Sequence, residues 1–193
     1  MSAGQDLTQE SAAAEHPLLE RLREHFATAV VATHAHRDDL TVQVAPTSIL
    51  EICTFLRDDP DCAFDFLMDV TAVDYIGSVP RFEVIYHLYS LRKNHRLRVK
   101  ARVAEEDLRI ASVTPVWAGA NWLERETYDM YGVHFEGHPD LRRIYLYEEF
   151  QGHPLRKDYP KEKRQPLVRG RDVGQGAARR AEEREREGYG RWQ

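Results

Sequence analysis

Arg81 to Glu105 reads RFEVIYHLYSLRKNHRLRVKARVAE. In its second half Leu97, Val99, Ala101 and Val103 alternate with Arg96, Arg98, Lys100 and Arg102. A period of two puts these sets on opposite faces of a strand, one dry and one wet. The first half, Phe82 to Leu91, also alternates, and Lys93-Asn94 supplies a tight turn between the two. A sheet with one wet face is largely antiparallel, and its dry face needs covering. With helices on that face the class is α+β.

Working upstream, AFDFLMDVTAVDY (63–75) is a strand with an apolar centre, joined to the next by a turn at Gly77–Pro80. PTSILEICTFLRDDP (46–60) is a helix that can be capped by Thr47 or Ser48; Ile49, Ile52, Cys53 and Leu56 share one face, and Pro60 stops it. ATAVVATHAHRDDLTVQVAP (27–46) holds two β-branched runs around a polar turn at His36–Asp39, a hairpin. Pro17 to Phe26 is a short amphipathic helix carrying Leu18, Leu19, Leu22 and Phe26. Downstream, DLRIASVTPVWAGANWLERETYDMYGV (107–133) reads as one helix, with a stripe of Trp117, Trp122, Leu123, Met130 and Tyr131 ended by Gly132.

Beyond Val133 periodicity is lost and Gly and Pro recur. The expected organisation is a flexible N-terminus over 1–15, an α+β domain over 16–136, an extended partner-binding arm over 137–160 and a charged tail over 161–193. AARRAEEREREG (177–188) in that tail carries opposite charges at helical spacing but no apolar face to bury.

The chain has 193 residues, 42% of them hydrophobic, enough for one packed domain and a tail. No apolar run approaches the roughly 20 residues that cross a bilayer, and the polar, Ala-rich start is unlike a secretory signal. A net charge of −5 argues against nucleic-acid binding by bulk charge. Two cysteines cannot ligate a common iron–sulfur cluster or a four-cysteine zinc site, and Cys53 is expected to be a packing residue. Neither phosphate-binding glycine motif nor G-x-S-x-G is present.

Several groups invite a chemical reading. His134 and His138 are four apart, but Gly137 and Pro139 bracket the second, so helical zinc ligation competes with a histidine held for hydrogen bonding. His34 and His36 share a strand face near a turn, and His87 lies among apolar strand residues. Glu126 and Asp129 are spaced as a paired-carboxylate acid/base site would be. The alternatives for the cluster of Glu124, Arg125, Glu126 and Asp129 are a solvated helix face and an ionic network against a partner.

Taken whole, ERETYDMYGVHFEGHPDLRRIY (124–145) resembles the signature of the 30 kDa subunit of respiratory complex I, the bacterial NADH–quinone oxidoreductase. The resemblance rests on Glu124-Arg125-Glu126, on Asp129-Met130-Tyr131, on Gly137-His138-Pro139, and on Arg142, Arg143, Ile144 and Tyr145. GHPLRKDYP (152–160) resembles a second block, contributing Gly152, His153, Pro154, Arg156, Lys157 and Asp158. Before it the family often has Asp-Trp, where this chain has Glu149-Phe150-Gln151.

The resemblance implies a non-catalytic subunit of the hydrophilic arm, docked on the 49 kDa subunit. FMN and iron–sulfur clusters would lie in other subunits, with no cofactor or metal on this chain. Membrane contact, at the cytoplasmic side of the bacterial inner membrane, would be through the complex only. The motif residues would face the partner. Gly-His-Pro, present twice fifteen positions apart, would form two stiff corners of the arm. A related membrane-bound hydrogenase is the alternative within the family. An independent hydrolase or metalloenzyme using Glu124, Glu126 and the histidines is the alternative outside it.

Overall fold

The computed structural model describes residues 16–37 and 39–166. The expected N-terminal segment 1–15 and most of the charged tail, including AARRAEEREREG, lie outside the described residues. No helix among the described residues is long and apolar enough to cross a membrane. One compact unit takes in the chain as far as Glu148 together with Gly152–Lys163. Glu149–Gln151 falls in a second unit with the residues from Arg164, where Gln151 and Gln165 exchange two hydrogen bonds.

Helix α1 (Pro17–His25) starts on Pro17, which has no N–H to leave unpaired, while the His16 ring accepts from the Leu18 N–H at 3.3 Å. It buries Leu18, Leu19 and Leu22. Strands β1 (Val30–His36) and β2 (Asp39–Val44) form the expected hairpin. A 3₁₀ turn at Pro46–Ser48 leads into α2 (Ile49–Asp58), whose buried face is Ile49, Ile52, Cys53 and Leu56. Asp59 ends it and accepts from the N–H groups of Asp61 and Cys62.

Strands β3 (Phe66–Asp74), β4 (Phe82–Ser90) and β5 (His95–Val103) complete a five-stranded sheet in the order β1-β2-β5-β4-β3. Three neighbouring pairs are antiparallel; β2 and β5 run parallel, so the sheet is mixed. Register puts Leu40, Leu97 and Leu88 side by side, then Val42, Val99 and Tyr86, then Val44, Ala101 and Val84. This is the dry face, and the buried helix residues join its cluster. On the other face Glu83 is buried beneath Lys100 and Arg102, at 3.0 and 3.4 Å.

The long helix expected over 107–133 is corrected. Its first part is strand β6 (Arg109–Ala111), followed by turns, and the helix α3 spans only Ala120–Tyr131. Pro115 cannot sit inside a helix. The Ser112 and Thr114 hydroxyls bond one another, and the Ser112 Oγ also accepts from the Thr114 N–H. Buried Ile110 instead pairs in parallel with Phe135 of a strand the sequence reading did not anticipate, β7 (His134–Glu136). Helix α3 packs against β3, where the Thr127 hydroxyl donates to the Val70 carbonyl at 2.9 Å.

Candidate functional site: a strap clamped along one helix

From Gly137 to Pro166 the chain forms no helix or strand. Within the first unit, His138–Leu146 and His153–Arg156 are nevertheless tied to α3 from its first turn to its last. At the start, Gly137 adopts φ +79° and His138 follows. The His138 Nδ1 accepts from the Asp140 N–H at 3.0 Å, so Nε2 carries the proton and donates to the Asn121 carbonyl at 3.1 Å. One helical turn on, the Arg125 guanidinium donates to the carbonyls of Arg142 and Arg143 while stacking on Trp122.

Asp129 is the centre of the clamp. Its buried carboxylate accepts from three successive backbone N–H groups, Ile144, Tyr145 and Leu146, at 2.8–3.0 Å, and from Arg143 Nη1 at 2.8 Å. Burial alone would raise its pKa; these donors outweigh it and hold the group below the usual carboxylate range. A carboxylate here does for the strap what an anion does in a backbone nest.

The last carbonyls of α3, which a helix leaves without internal partners, are all taken up. Tyr128 O receives the Gly132 N–H at 2.8 Å. Asp129 O receives His153 Nδ1 at 3.0 Å, Met130 O the Leu155 N–H at 3.1 Å, and Tyr131 O the Arg156 Nε at 2.6 Å. Gly132 sits at φ +81°, and a Cβ there would lie 2.6 Å from both His153 Nε2 and Arg156 Nη2. Glycine is therefore required twice, for the left-handed cap and for the closeness of the strap. Burial lowers the His153 pKa, which favours the neutral ring.

The strap then crosses to the root of the β3–β4 hairpin. Arg81 holds Asp74 by two bonds of 2.7 Å and also reaches Glu105 and Asp158. The Lys157 N–H donates to Asp74 at 2.8 Å. Arg81 and its hydrogen bonds hold the Asp74 pKa down. Arg81 and Arg156 both stack on Phe82.

The structure gives each motif residue a place within the chain. Asp129, Arg125, Arg143, Arg156 and Asp158 are bonded within the chain. Arg142 is exposed and paired with Asp140 at 2.6 Å. Glu126 is exposed whereas Asp129 is buried, so they form no carboxylate pair. His134 is exposed on β7 and does not meet the nitrogens of His138, both of which are engaged. No group of three or more His, Cys, Asp or Glu side chains among the described residues converges as metal ligands. His34 and His36 are exposed.

Glu124 is fully buried and accepts from Ser112 Oγ at 2.6 Å and the Val113 N–H at 2.7 Å. Desolvation pushes its pKa up to about 7, partly offset by those two bonds. Tyr131 is half-buried, its phenol pKa raised by burial. Arg81 and Asp74 are the participants that motif reading missed; only the bidentate geometry reveals them. Beside exposed charges such as Arg142 and Lys157, the clamp leaves large apolar side chains facing solvent: Trp122 at 62% exposure, Tyr145 at 65%, with Tyr147 and Leu155.

The family model described as respiratory-chain NADH dehydrogenase, 30 Kd subunit, matches residues 42–165, which take in the sheet from the second half of β2 onward, α2, α3 and the strap as far as Gln165. The homologous subunit of the NADH-quinone oxidoreductase of Azorhizobium caulinodans is 53% identical over 132 residues, 68% of this chain and 62% of that protein. The chain therefore spans less than two thirds of that relative. The homologous NADH-quinone oxidoreductase subunit of Roseiflexus sp. strain RS-1 is 48% identical over 143 residues, covering 74% of this chain and 82% of the relative. Among solved structures, a trypsin-resistant fragment of Nqo5 superposes with a TM-score of 0.55 at 34% identity, covering 64% of this chain and 98% of the fragment. With β3 to β5, helix α3 and nearly all of the strap inside the matched region, the chain belongs to the respiratory-chain NADH dehydrogenase 30 kDa subunit family.

Proposed function

We propose that this chain is the 30 kDa-type subunit of a proton-translocating NADH-quinone oxidoreductase, without a redox centre of its own and docked on the 49 kDa subunit. Electrons would pass from NADH through FMN and iron–sulfur clusters of other subunits to quinone. The chain would sit in the hydrophilic arm, on the cytoplasmic side of the bacterial inner membrane, and touch the membrane only through the complex. The observation that carries this reading is the division of labour on the strap. Arg143 and Arg156 hold the strap to α3, and Tyr145 and Tyr147, with Trp122, are exposed. Exposed aromatics on a braced backbone are what a protein interface uses, because little freedom remains to be lost on docking.

The test is mass spectrometry of the detergent-solubilised complex that carries the chain, with the isolated chain as control. The expected result is co-purification with the NADH-quinone oxidoreductase subunits, and an isolated chain that is colourless and contains no stoichiometric iron or flavin. An isolated chain that is active alone, or absent from that complex, overturns the proposal.

A further inference from the structure

The connection between β3 and β4 stands apart from the strap's rings and projects Tyr75, Ile76 and Val79. Ile76 is 58% exposed and Val79 is 92% exposed. Scattered exposed apolar residues are ordinary, but these are mounted on a braced loop. The Tyr75 N–H donates to the Arg81 carbonyl at 2.9 Å, and the Ser78 N–H to the Tyr75 carbonyl at 2.9 Å. Gly77, at φ +87°, makes the turn. The two ends of the loop are cross-linked by the Arg81–Asp74 pair, itself buried. Tyr75 is further held by its hydroxyl, 3.4 Å from Glu83, and by Arg102 over its ring. Nothing in this bracing requires aliphatic side chains at the tip.

The same salt-bridge cluster fastens the strap. Asp158 bonds Arg81, the Lys157 N–H bonds Asp74, and exposed Leu155 lies two residues before Lys157. The loop and the end of the strap therefore share one rigid root, which places the loop next to exposed Leu155.

We propose that the β3–β4 loop is a preformed docking finger whose Ile76 and Val79 enter an uncharged, aliphatic socket on the neighbouring subunit that takes the strap face. The inference rests on the assembly reading above and names a contact that reading does not require. A finger held by its own root loses little conformational freedom on insertion, so its contribution appears in assembly and not in the stability of the free chain.

The test uses the full chain in its complex. Both native cysteines are buried, so Val79→Cys introduces the accessible thiol for a photoactivatable crosslinker. The expected product is a crosslink to one other subunit, the same one reached from Tyr145→Cys. Val79→Asp should lower the fraction of chain incorporated by about tenfold or more, as loss of a central interface contact does, with the melting temperature of the free chain unchanged. Normal incorporation of Val79→Asp, or a crosslink only within the chain or to a second copy of it, overturns the finger alone. Absence of the unmodified chain from the complex overturns both this inference and the assembly reading.

Discussion

Glu124 combines complete burial with a pKa of about 7, and the two together set a pH signature. In the unfolded chain its carboxyl titrates near 4.5. The folded state binds the proton more tightly, so the favourable contribution is full below about pH 4.5. It is lost as pH rises to about 7 and is constant above that. The difference corresponds to about 3 kcal/mol. The Asp74 and Asp129 carboxyls are shifted the other way. Their contribution is present above the ordinary carboxylate range and lost on acidification below it, so the two windows separate. The groups nearest Glu124 are Ser112, His138 on the strap, and the side chains of Cys53 and Tyr86, both of which burial raises in pKa. Glu124→Gln keeps the acceptor for the Val113 N–H and removes the titration. Denaturant unfolding of that variant between pH 5 and pH 8 should therefore lack the decline expected of the native chain. An identical decline in both would assign it to another group.

At the scale of elements, the strap and α3 behave as one structure. That makes two adjacent arginines unequal, although the sequence presents them as a pair. Arg143 is mostly buried against Asp129, whose carboxylate also organises three backbone N–H groups. Replacing it by Ala leaves a buried charge with part of its shell missing, a loss of about 3–5 kcal/mol. Arg142 forms an exposed, solvent-screened pair with Asp140, and Arg142→Ala should leave the stability of the free chain nearly unchanged. Thermal unfolding of the two single variants of the free chain checks this, and equal melting temperatures would deny the clamp its role. Here the limits of sequence reading become physical. The alternation of Leu97, Val99, Ala101 and Val103 with basic residues announces β5 because a strand's faces are a local property. The face of α2 is legible for the same reason. Strands β6 and β7 are three residues each and exist by pairing with one another across the whole of α3, which no local pattern reports. Gly137 and Gly152 of the doubled Gly-His-Pro both adopt positive φ, which glycine makes legible as turns. That each histidine then meets a carbonyl of the same helix is not legible. A sequence shows that Asp129 and Arg143 are charged and not whom they face, so the motif suggests a partner's charges where the fold supplies its own.

For the whole molecule, the consequence is a separation between what folds the chain and what presents it. The dry face of the sheet, α1, α2 and α3 form the core. Arg143, Arg156 and the strap's bonded backbone groups weld it to that core, and Tyr145 and Tyr147 remain outside. Loss of an outward ring should then leave the free chain intact and weaken assembly, the reverse of what the clamp residues should do. Tyr145 is the sharper test, because its N–H is held by Asp129 at 2.8 Å. Its backbone stays in place whatever side chain it carries. Trp122 is anchored separately on α3 and engaged by Arg125. Truncating an aromatic at the centre of an interface typically costs about 2 kcal/mol or more of association, whereas exposed positions change folding by about 0.5 kcal/mol or less. Tyr145→Ala and Trp122→Ala should therefore melt with the native chain when isolated. Each should reduce the fraction incorporated into the complex, and the double variant should do so more than either alone. The measurement is quantitative mass spectrometry of the assembled complex beside melting of the free chain. Variants that assemble normally would show that the rings are not an interface. Variants that lose stability without the partner would show that the rings are still part of the fold.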